Sequence, residues 1–70
     1  MSSKTVNMGG GWKYRMWVSP TGWLFVESKK ANGSFAIAQI ENGEVVHIEA
    51  QQQLGGFTNE ALVAAWQEAN

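Results

Sequence analysis

The sequence predicts an α+β fold, in which a four-stranded antiparallel β-meander carries one C-terminal α-helix packed on one face, giving two layers. Three observations support this prediction. From Trp12 onward apolar and polar side chains alternate, a period-two pattern that indicates β-strands. Turn sequences interrupt this pattern at residues 19–22 and 42–43,. After Thr58, apolar residues recur at intervals of three and four, which indicates an amphipathic helix.

The short chain limits the size of the core. With 70 residues it forms one domain at most, which buries only about 60% of the surface that the unfolded chain exposes. It contains no cysteine and one histidine, which excludes disulfides and the usual four-ligand structural zinc site. Dense aromatic packing and self-association remain as sources of stability, so homo-oligomerisation is left open.

Positive and negative charges are concentrated in different halves of the chain. The net charge is −1, which argues against a dedicated nucleic-acid-binding protein. All five Lys and Arg residues precede residue 31, where Glu27 is the only acid, and the other five glutamates follow it. This asymmetry fits a basic face for an anionic partner, two complementary faces that meet in a homo-oligomer, or charges that merely keep a small domain soluble.

Residues 1–11 are predicted to be a flexible N-terminal arm, and residues 12–70 the single small α+β domain. The arm is polar and ends in three glycines, which lose much conformational entropy when they are ordered. Neither a signal-peptide pattern nor an apolar run of about 18 residues is present,. We therefore expect a cytoplasmic protein without a membrane partner.

The first predicted hairpin spans Trp12 to Glu27. Its turn, Ser19-Pro20-Thr21-Gly22, favours a three-residue loop with a bulge at the glycine. This loop pairs Val18 with Leu24, Trp17 with Phe25, Met16 with Val26, and Arg15 with Glu27. One face of the hairpin is then aliphatic, and the other carries an aromatic pair and an oppositely charged pair. A two-residue loop would not sort the residues in this way.

The second predicted hairpin is formed around Asn42-Gly43, a sequence that favours a type I′ turn,. The third strand runs from Ser34 to Ile40 and the fourth from Val45 to Ala50. The expected pairs are Ile40 with Val45, Ala38 with His47, Ile37 with Ile48, and Phe35 with Ala50. Simple alternation places Phe35 and Ile37 on one face and Ala36, Ala38 and Ile40 on the other.

The helix is predicted to begin after Thr58, which acts as the N-cap. Phe57 and Leu62 are spaced as a hydrophobic staple,. The predicted apolar stripe consists of Leu62, Ala65, Trp66 and Ala69. Such a stripe has to pack against a face of the sheet, so Trp66 is assigned to the core.

Residues that could support catalysis are scarce, because the chain has no aspartate and no cysteine. His47, the only histidine, is expected to face solvent or to be hydrogen-bonded at the sheet surface. A Ser-His-Glu arrangement that includes Glu49 is rejected on the expectation that Glu49 points to the face opposite His47. We therefore predict no enzymatic activity, no metal site and no cofactor.

One helix covers only one face of a sheet, so the other face is available to a partner. In the predicted register this face carries Lys13, Arg15, Trp17, Phe25 and Glu27. Aromatic residues beside arginine are typical of the core of a protein interface. The sequence thus predicts a protein-binding module whose target is a second copy of the chain or a different protein. A small domain without catalytic groups is also what we expect of an accessory or inhibitor protein from a mobile element. Burial of both aromatics by sheet curvature or by the glycine-rich arm is the alternative.

A nucleic-acid-binding module is the second prediction. Cations and aromatic rings alternate between Trp12 and Trp17, as phosphate contacts and base stacking require. The residues for this role are Trp12, Lys13, Arg15, Trp17, Lys29 and Lys30. In outline the predicted fold is also similar to the small sheet-plus-helix DNA-binding domains of some recombinases, an analogy of topology alone. Protein binding is preferred because the acidic second half weakens binding driven by counterion release.

Overall fold

The computed structural model describes residues 3–28, 33–49 and 56–69. The elements, in chain order, are β1 (Lys4–Gly9), β2 (Trp12–Val18), β3 (Trp23–Ser28), β4 (Gly33–Glu41), β5 (Glu44–Ile48) and α1 (Asn59–Glu68). The strands form one antiparallel sheet in the order β1-β2-β3-β4-β5, which is curled into a half-barrel. The α+β class is confirmed, whereas the predicted number of four strands is wrong.

The additional strand, β1, lies in the segment that was predicted to be a flexible arm. It pairs with β2 and sets Val6 opposite Tyr14 and Lys4 opposite Met16. The Val6 side chain is only 1% exposed. Burial of this valine and pairing of the backbone offset part of the entropy lost when a polar, glycine-rich segment becomes ordered. The assignment of Lys4–Gly9 to a flexible arm is therefore wrong.

The hairpin formed by β2 and β3 has the predicted register, and all four predicted pairs are present. In its loop the Gly22 N–H donates to the Ser19 carbonyl oxygen at 3.0 Å, and the Ser19 N–H donates to the Trp23 carbonyl oxygen at 2.8 Å. Gly22 has a φ of 90°, a conformation that glycine adopts more readily than other residues. The bulged three-residue loop is confirmed.

Strand β4 contains one residue more than its partner β3 across their ladder. Leu24 pairs with Ala38, but the next pair along β4 uses Ala36, so Ile37 forms a bulge. Both Ile37 and Ala38 are buried, at 2% and 0% exposure, because a bulge turns two adjacent side chains toward the same side. The predicted separation of Phe35 and Ile37 from Ala38 is wrong, since all three belong to the core or pack against it.

A second bulge displaces the pairs between β4 and β5. The observed pairs are Ile40 with Val45, Gln39 with His47, and Ala38 with Ile48. Only the first was predicted. The predicted pairs of Ala38 with His47 and of Ile37 with Ile48 are wrong by one residue, and the pair of Phe35 with Ala50 lies outside the described residues. The extra residue is Val46, and it allows Val45 and Ile48, three positions apart, both to pack against the core,.

Helix α1 begins as the sequence predicted. Thr58 is its N-cap, and the Thr58 hydroxyl accepts a hydrogen bond from the Ala61 N–H at 3.1 Å. The Asn59 amide nitrogen donates to the Glu49 carbonyl oxygen, which joins the start of the helix to the end of β5. The buried residues of the helix are Asn59, Leu62, Val63 and Trp66. Ala69 is exposed at the C-cap, so its predicted place in the apolar stripe is wrong.

The core lies between α1 and one face of the sheet. Its buried apolar residues are Val6, Tyr14, Met16, Leu24, Val26, Ile37, Ala38, Leu62, Val63 and Trp66. The aliphatic face predicted for the first hairpin is thus the face that the helix covers. At the edge of the core the Lys4 ammonium lies 4.9 Å from the ring centroid of Trp66. No helix within the described ranges is long and apolar enough to cross a bilayer.

Candidate functional site: the open face of the sheet

The candidate site is the face of the sheet opposite α1, called the open face below. The helix packs its buried residues on the other side, and among the described residues no element packs on the open face. Strand alternation assigns to it the residues that lie between the buried positions of β2 and β3,. These residues are Lys13, Arg15, Trp17, Trp23, Phe25 and Glu27. All five predicted protein-binding residues are therefore on one surface.

An aromatic pair lies near the middle of the open face. Trp17 is directly opposite Phe25, with the ring centroids 5.8 Å apart and the planes inclined by 14°. Both side chains are half-buried, which lies between the exposure expected of a binding surface and the alternative of burial by sheet curvature or by the glycine-rich arm. Offset stacking of this kind stabilises a pair by about 0.5 to 1.5 kcal/mol beyond its area burial. The two rings hold each other in place and still present surface to a partner.

The guanidinium of Arg15 lies next to the aromatic pair. Its guanidinium carbon lies 6.0 Å from the centroid of the Trp17 ring, a cation–π contact of about 0.5 to 1 kcal/mol at an exposed site. Glu27 is opposite Arg15 on β3. Lys13, two residues before Arg15 on β2, is exposed. Arginine, a stacked tryptophan and a carboxylate thus occupy adjacent positions on the open face.

The opposite corner of the open face is acidic. On β4 and β5, Ile40 and Val45 pack against the core, so the next pair, Glu41 and Glu44, belongs to the open face by alternation. Both glutamates are exposed. Cations at the β2 corner and carboxylates at the β4–β5 corner therefore lie on either side of the aromatic pair.

His47 and Glu49 are on the same face of β5 and form an ion pair if the histidine is protonated. The His47 Nε2 atom is 2.8 Å from a carboxylate oxygen of Glu49. The expectation that the two side chains point to opposite faces is wrong, because residues two positions apart on a strand share a face. His47 is 55% exposed and hydrogen-bonded at the sheet surface.

In ranges 3–28, 33–49 and 56–69, no three His, Cys, Asp or Glu residues are placed to hold a metal ion.

The residues predicted for nucleic-acid binding do not share one surface. Trp12 is on the helix side, where its ring is stacked on Tyr14 with centroids 6.5 Å apart and meets Phe57 edge-on at 6.3 Å. Lys13, Arg15 and Trp17 are on the open face. Lys29 and Lys30 lie outside the described residues. The alternation of cations and rings along β2 is thus split between two faces.

One aromatic residue of the open face was missing from the predicted site. Trp23 is two positions before Phe25, and it pairs with Gln39 on β4. Alternation along β3 places Trp23 on the same face as Phe25, because Leu24 between them is fully buried,. The signal was present in the sequence, where Trp23 directly follows the Ser-Pro-Thr-Gly turn.

Comparison with known proteins gave no match. No protein-family model, no curated protein and no solved structure matches this chain. The open face is therefore interpreted from its own geometry and chemistry.

Proposed function

We propose that this chain is a small, non-enzymatic protein-binding module that binds its target through the open face. The observation that carries the proposal is the stacked pair of Trp17 and Phe25, half-buried on a face that no described element covers. Arg15 beside it supplies a charged hydrogen-bond donor. Tryptophan and arginine are among the residues that contribute most to binding energy in protein interfaces.

The contacts within the open face also reduce the cost of binding. Immobilising a flexible side chain in an interface costs about 0.5 to 1.5 kcal/mol. The ring of Trp17 already contacts the ring of Phe25 and the Arg15 guanidinium. A partner therefore meets side chains that have lost much of their freedom in the unbound protein, and more of the contact energy contributes to affinity.

The charges of the open face favour protein over nucleic acid as the partner. Glu27 is opposite Arg15, and Glu41 and Glu44 lie further along the same face. Carboxylates repel the phosphate backbone, whose attraction to cations accounts for most non-specific nucleic-acid affinity. Mixed charges around an aromatic centre match the polar rim of protein interfaces.

Two solution measurements distinguish these partners. Labelled single- and double-stranded oligonucleotides are titrated with the protein at low and at high salt, while light scattering records the mass of the protein. The proposal predicts no salt-sensitive oligonucleotide binding and, if the target is the chain itself, a dimer or larger species. Salt-sensitive binding of an oligonucleotide by a monomer would contradict the proposal and favour the nucleic-acid alternative.

A further inference from the structure

We propose that the target of the open face is a second copy of this chain, in a two-fold symmetric dimer whose open faces pack against each other. This inference rests on the proposed protein-binding function and names its partner. It is drawn from the arrangement of charge on the open face, the bulges in the two edge strands and the size of the face.

The charges of the open face are arranged to be self-complementary. Lys13 and Arg15 lie in the first half of β2, and Arg15 is opposite Glu27. Glu41 and Glu44 lie beyond the opposite end of the β3–β4 ladder, next to the turn between β4 and β5. The ladder pairs place the Trp17–Phe25 pair between these two corners. The open face therefore has a cationic corner, an aromatic centre and an acidic corner along one diagonal.

A two-fold axis uses this diagonal twice. We place the two-fold axis in the plane between the two facing sheets, above the aromatic centre and perpendicular to the diagonal. Rotation about this axis brings the cationic corner of one copy against the acidic corner of the other. Arg15 of each copy then faces Glu41 and Glu44 of the other, and the Trp17–Phe25 pairs meet near the axis. Such an isologous arrangement is closed, because the same patch is used on both copies and no binding surface is left over. Opposite charges that face each other also fix the relative orientation of the copies.

The edges of the sheet are less suited to self-association than its face. Both edge strands contain a bulge. The bulge in β1 lies at Met8, between the pairs made by Asn7 and Gly9, and the bulge in β5 lies at Val46. A bulge twists an edge strand and interrupts the regular row of N–H and C=O groups that another strand would need. Extension of the sheet from copy to copy is therefore disfavoured.

The size of the open face fits a stable dimer. A standard protein interface buries about 800 Å² on each partner. The molecule has an accessible surface of 4567 Å² and its two longest extents are 31 and 24 Å, so a patch of about 800 Å² takes up less than about a fifth of its surface. Association would also stabilise the chain, since any partner that binds only the folded state shifts the folding equilibrium. A domain of 70 residues without cysteine gains most from such a contribution.

Charge reversal at each corner tests the proposed geometry. The first variant is Lys13→Glu/Arg15→Glu, which makes both corners acidic. The second is Glu41→Lys/Glu44→Lys, which makes both corners basic. We expect each variant alone to dimerise at least about 30-fold more weakly than the unaltered chain, because like charges then face each other twice. Mass is measured by sedimentation over a range of concentrations.

Mixing the two variants gives the decisive result. In a mixed dimer, the new glutamates of the first variant face the new lysines of the second, and the two unaltered corners also attract. The equimolar mixture is therefore expected to dimerise within about tenfold of the unaltered chain. Glu60→Lys/Glu68→Lys, on exposed positions of α1, changes the net charge by the same amount as Glu41→Lys/Glu44→Lys but on the other side of the molecule. This control is expected to leave dimerisation unchanged.

The outcomes separate this inference from the function on which it rests. A chain that stays monomeric at millimolar concentration overturns the dimer but leaves a different protein target on the open face. Two variants that fail to dimerise when mixed overturn the proposed two-fold arrangement. A dimer that resists both charge reversals and also Trp17→Ala uses another surface, which contradicts the dimer and the proposed function together.

Discussion

The ring of Trp17 lies parallel to that of Phe25 across the β2–β3 hairpin, with 5.8 Å between the centroids and 14° between the planes. The bulged loop before Trp23 sets the two residues directly opposite each other. The same register pairs Met16 with Val26, both fully buried on the helix side. One hairpin register therefore places both the centre of the core and the centre of the open face.

Replacing Trp17 by alanine is expected to weaken self-association of the chain at least about 30-fold. This factor corresponds to the loss of about 2 kcal/mol of binding free energy, as for a hot-spot residue. The fold should remain, because Trp17 is on the open face and only half-buried. The lost stacking with Phe25 should lower the free energy of unfolding by about 1 kcal/mol. Association is measured by light scattering and stability by thermal unfolding.

Trp12→Ala is the matched control for this variant. Trp12 is also a partly exposed tryptophan, but it stacks on Tyr14 on the helix side. Its removal should lower stability by a similar amount and leave association unchanged. Equal losses of association in the two variants would mean that stability, and not the open face, determines binding.

Trp66→Ala is expected to cost about 3 to 5 kcal/mol of unfolding free energy, as for other large buried aromatics. Trp66 is 8% exposed in the core. Thermal unfolding followed by circular dichroism measures the effect, and Gln67→Ala, at the exposed neighbouring position, should change stability by less than about 0.5 kcal/mol. If the alanine variant does not fold, Trp66→Phe should fold with a reduced Tm. An unchanged Tm for Trp66→Ala would show that α1 does not pack on the sheet through this residue.

Gly22→Ala is expected to lower stability by about 2 kcal/mol or more, since a left-handed conformation costs an L-residue about 1 to 2 kcal/mol. A Cβ atom at this position would also lie 2.9 Å from the Ile40 carbonyl oxygen. In a domain of this size the Tm should fall by about 8 °C or more. Gly33→Ala is the control, because nothing lies within 4 Å of a Cβ at Gly33 and its φ is not positive. Similar Tm values for the two variants would contradict the loop geometry.

Loss of the helix cap should have a smaller effect. Thr58→Ala removes the acceptor for the Ala61 N–H and is expected to lower stability by about 0.5 to 2 kcal/mol. Thr58→Ser keeps the hydroxyl and should stay within a few tenths of a kcal/mol of the unaltered chain. Amide hydrogen exchange at Ala61 measures the cap directly. Equal exchange rates in both variants would contradict the capping hydrogen bond.

The parts of the fold that were predictable have strong local signals. The β2–β3 register follows from a turn with proline and glycine at defined positions and from the sorting of Met16, Val18, Leu24 and Val26 on one face. The helix start follows from Thr58 and the apolar spacing after it. In each case local propensity and side-chain pattern indicate the same structure, and such agreement allows that structure to be predicted from the sequence.

The parts that were missed depend on long-range packing. Strand β1 has only one fully buried side chain, Val6, and its polar sequence resembles a loop until β2 is beside it. The bulges at Ile37 and Val46 insert one residue each, and a period-two pattern does not reveal where alternation breaks. Neighbouring apolar residues at these places, Ile37 with Ala38 and Val45 with Val46, are the only trace in the sequence.

The candidate site was predicted in its β2–β3 half alone. Lys13, Arg15, Trp17, Phe25 and Glu27 share a face because their hairpin register was correct. The acidic corner was missed because the bulge at Ile37, which the sequence does not reveal, determines which side chains of β4 share a face with those of β3,. The role of the face as a binding surface stays a proposal.

The four tryptophans provide the most direct test of the open face, because two of them lie on each side of the molecule. Trp17 and Trp23 are on the open face, and Trp12 and Trp66 are on the helix side. The measurement is the ¹H–¹⁵N spectrum of the four indole groups, recorded over a dilution series of the protein. We expect the Trp17 and Trp23 signals to shift with concentration while those of Trp12 and Trp66 stay constant. Shifts confined to Trp12 and Trp66 would contradict it.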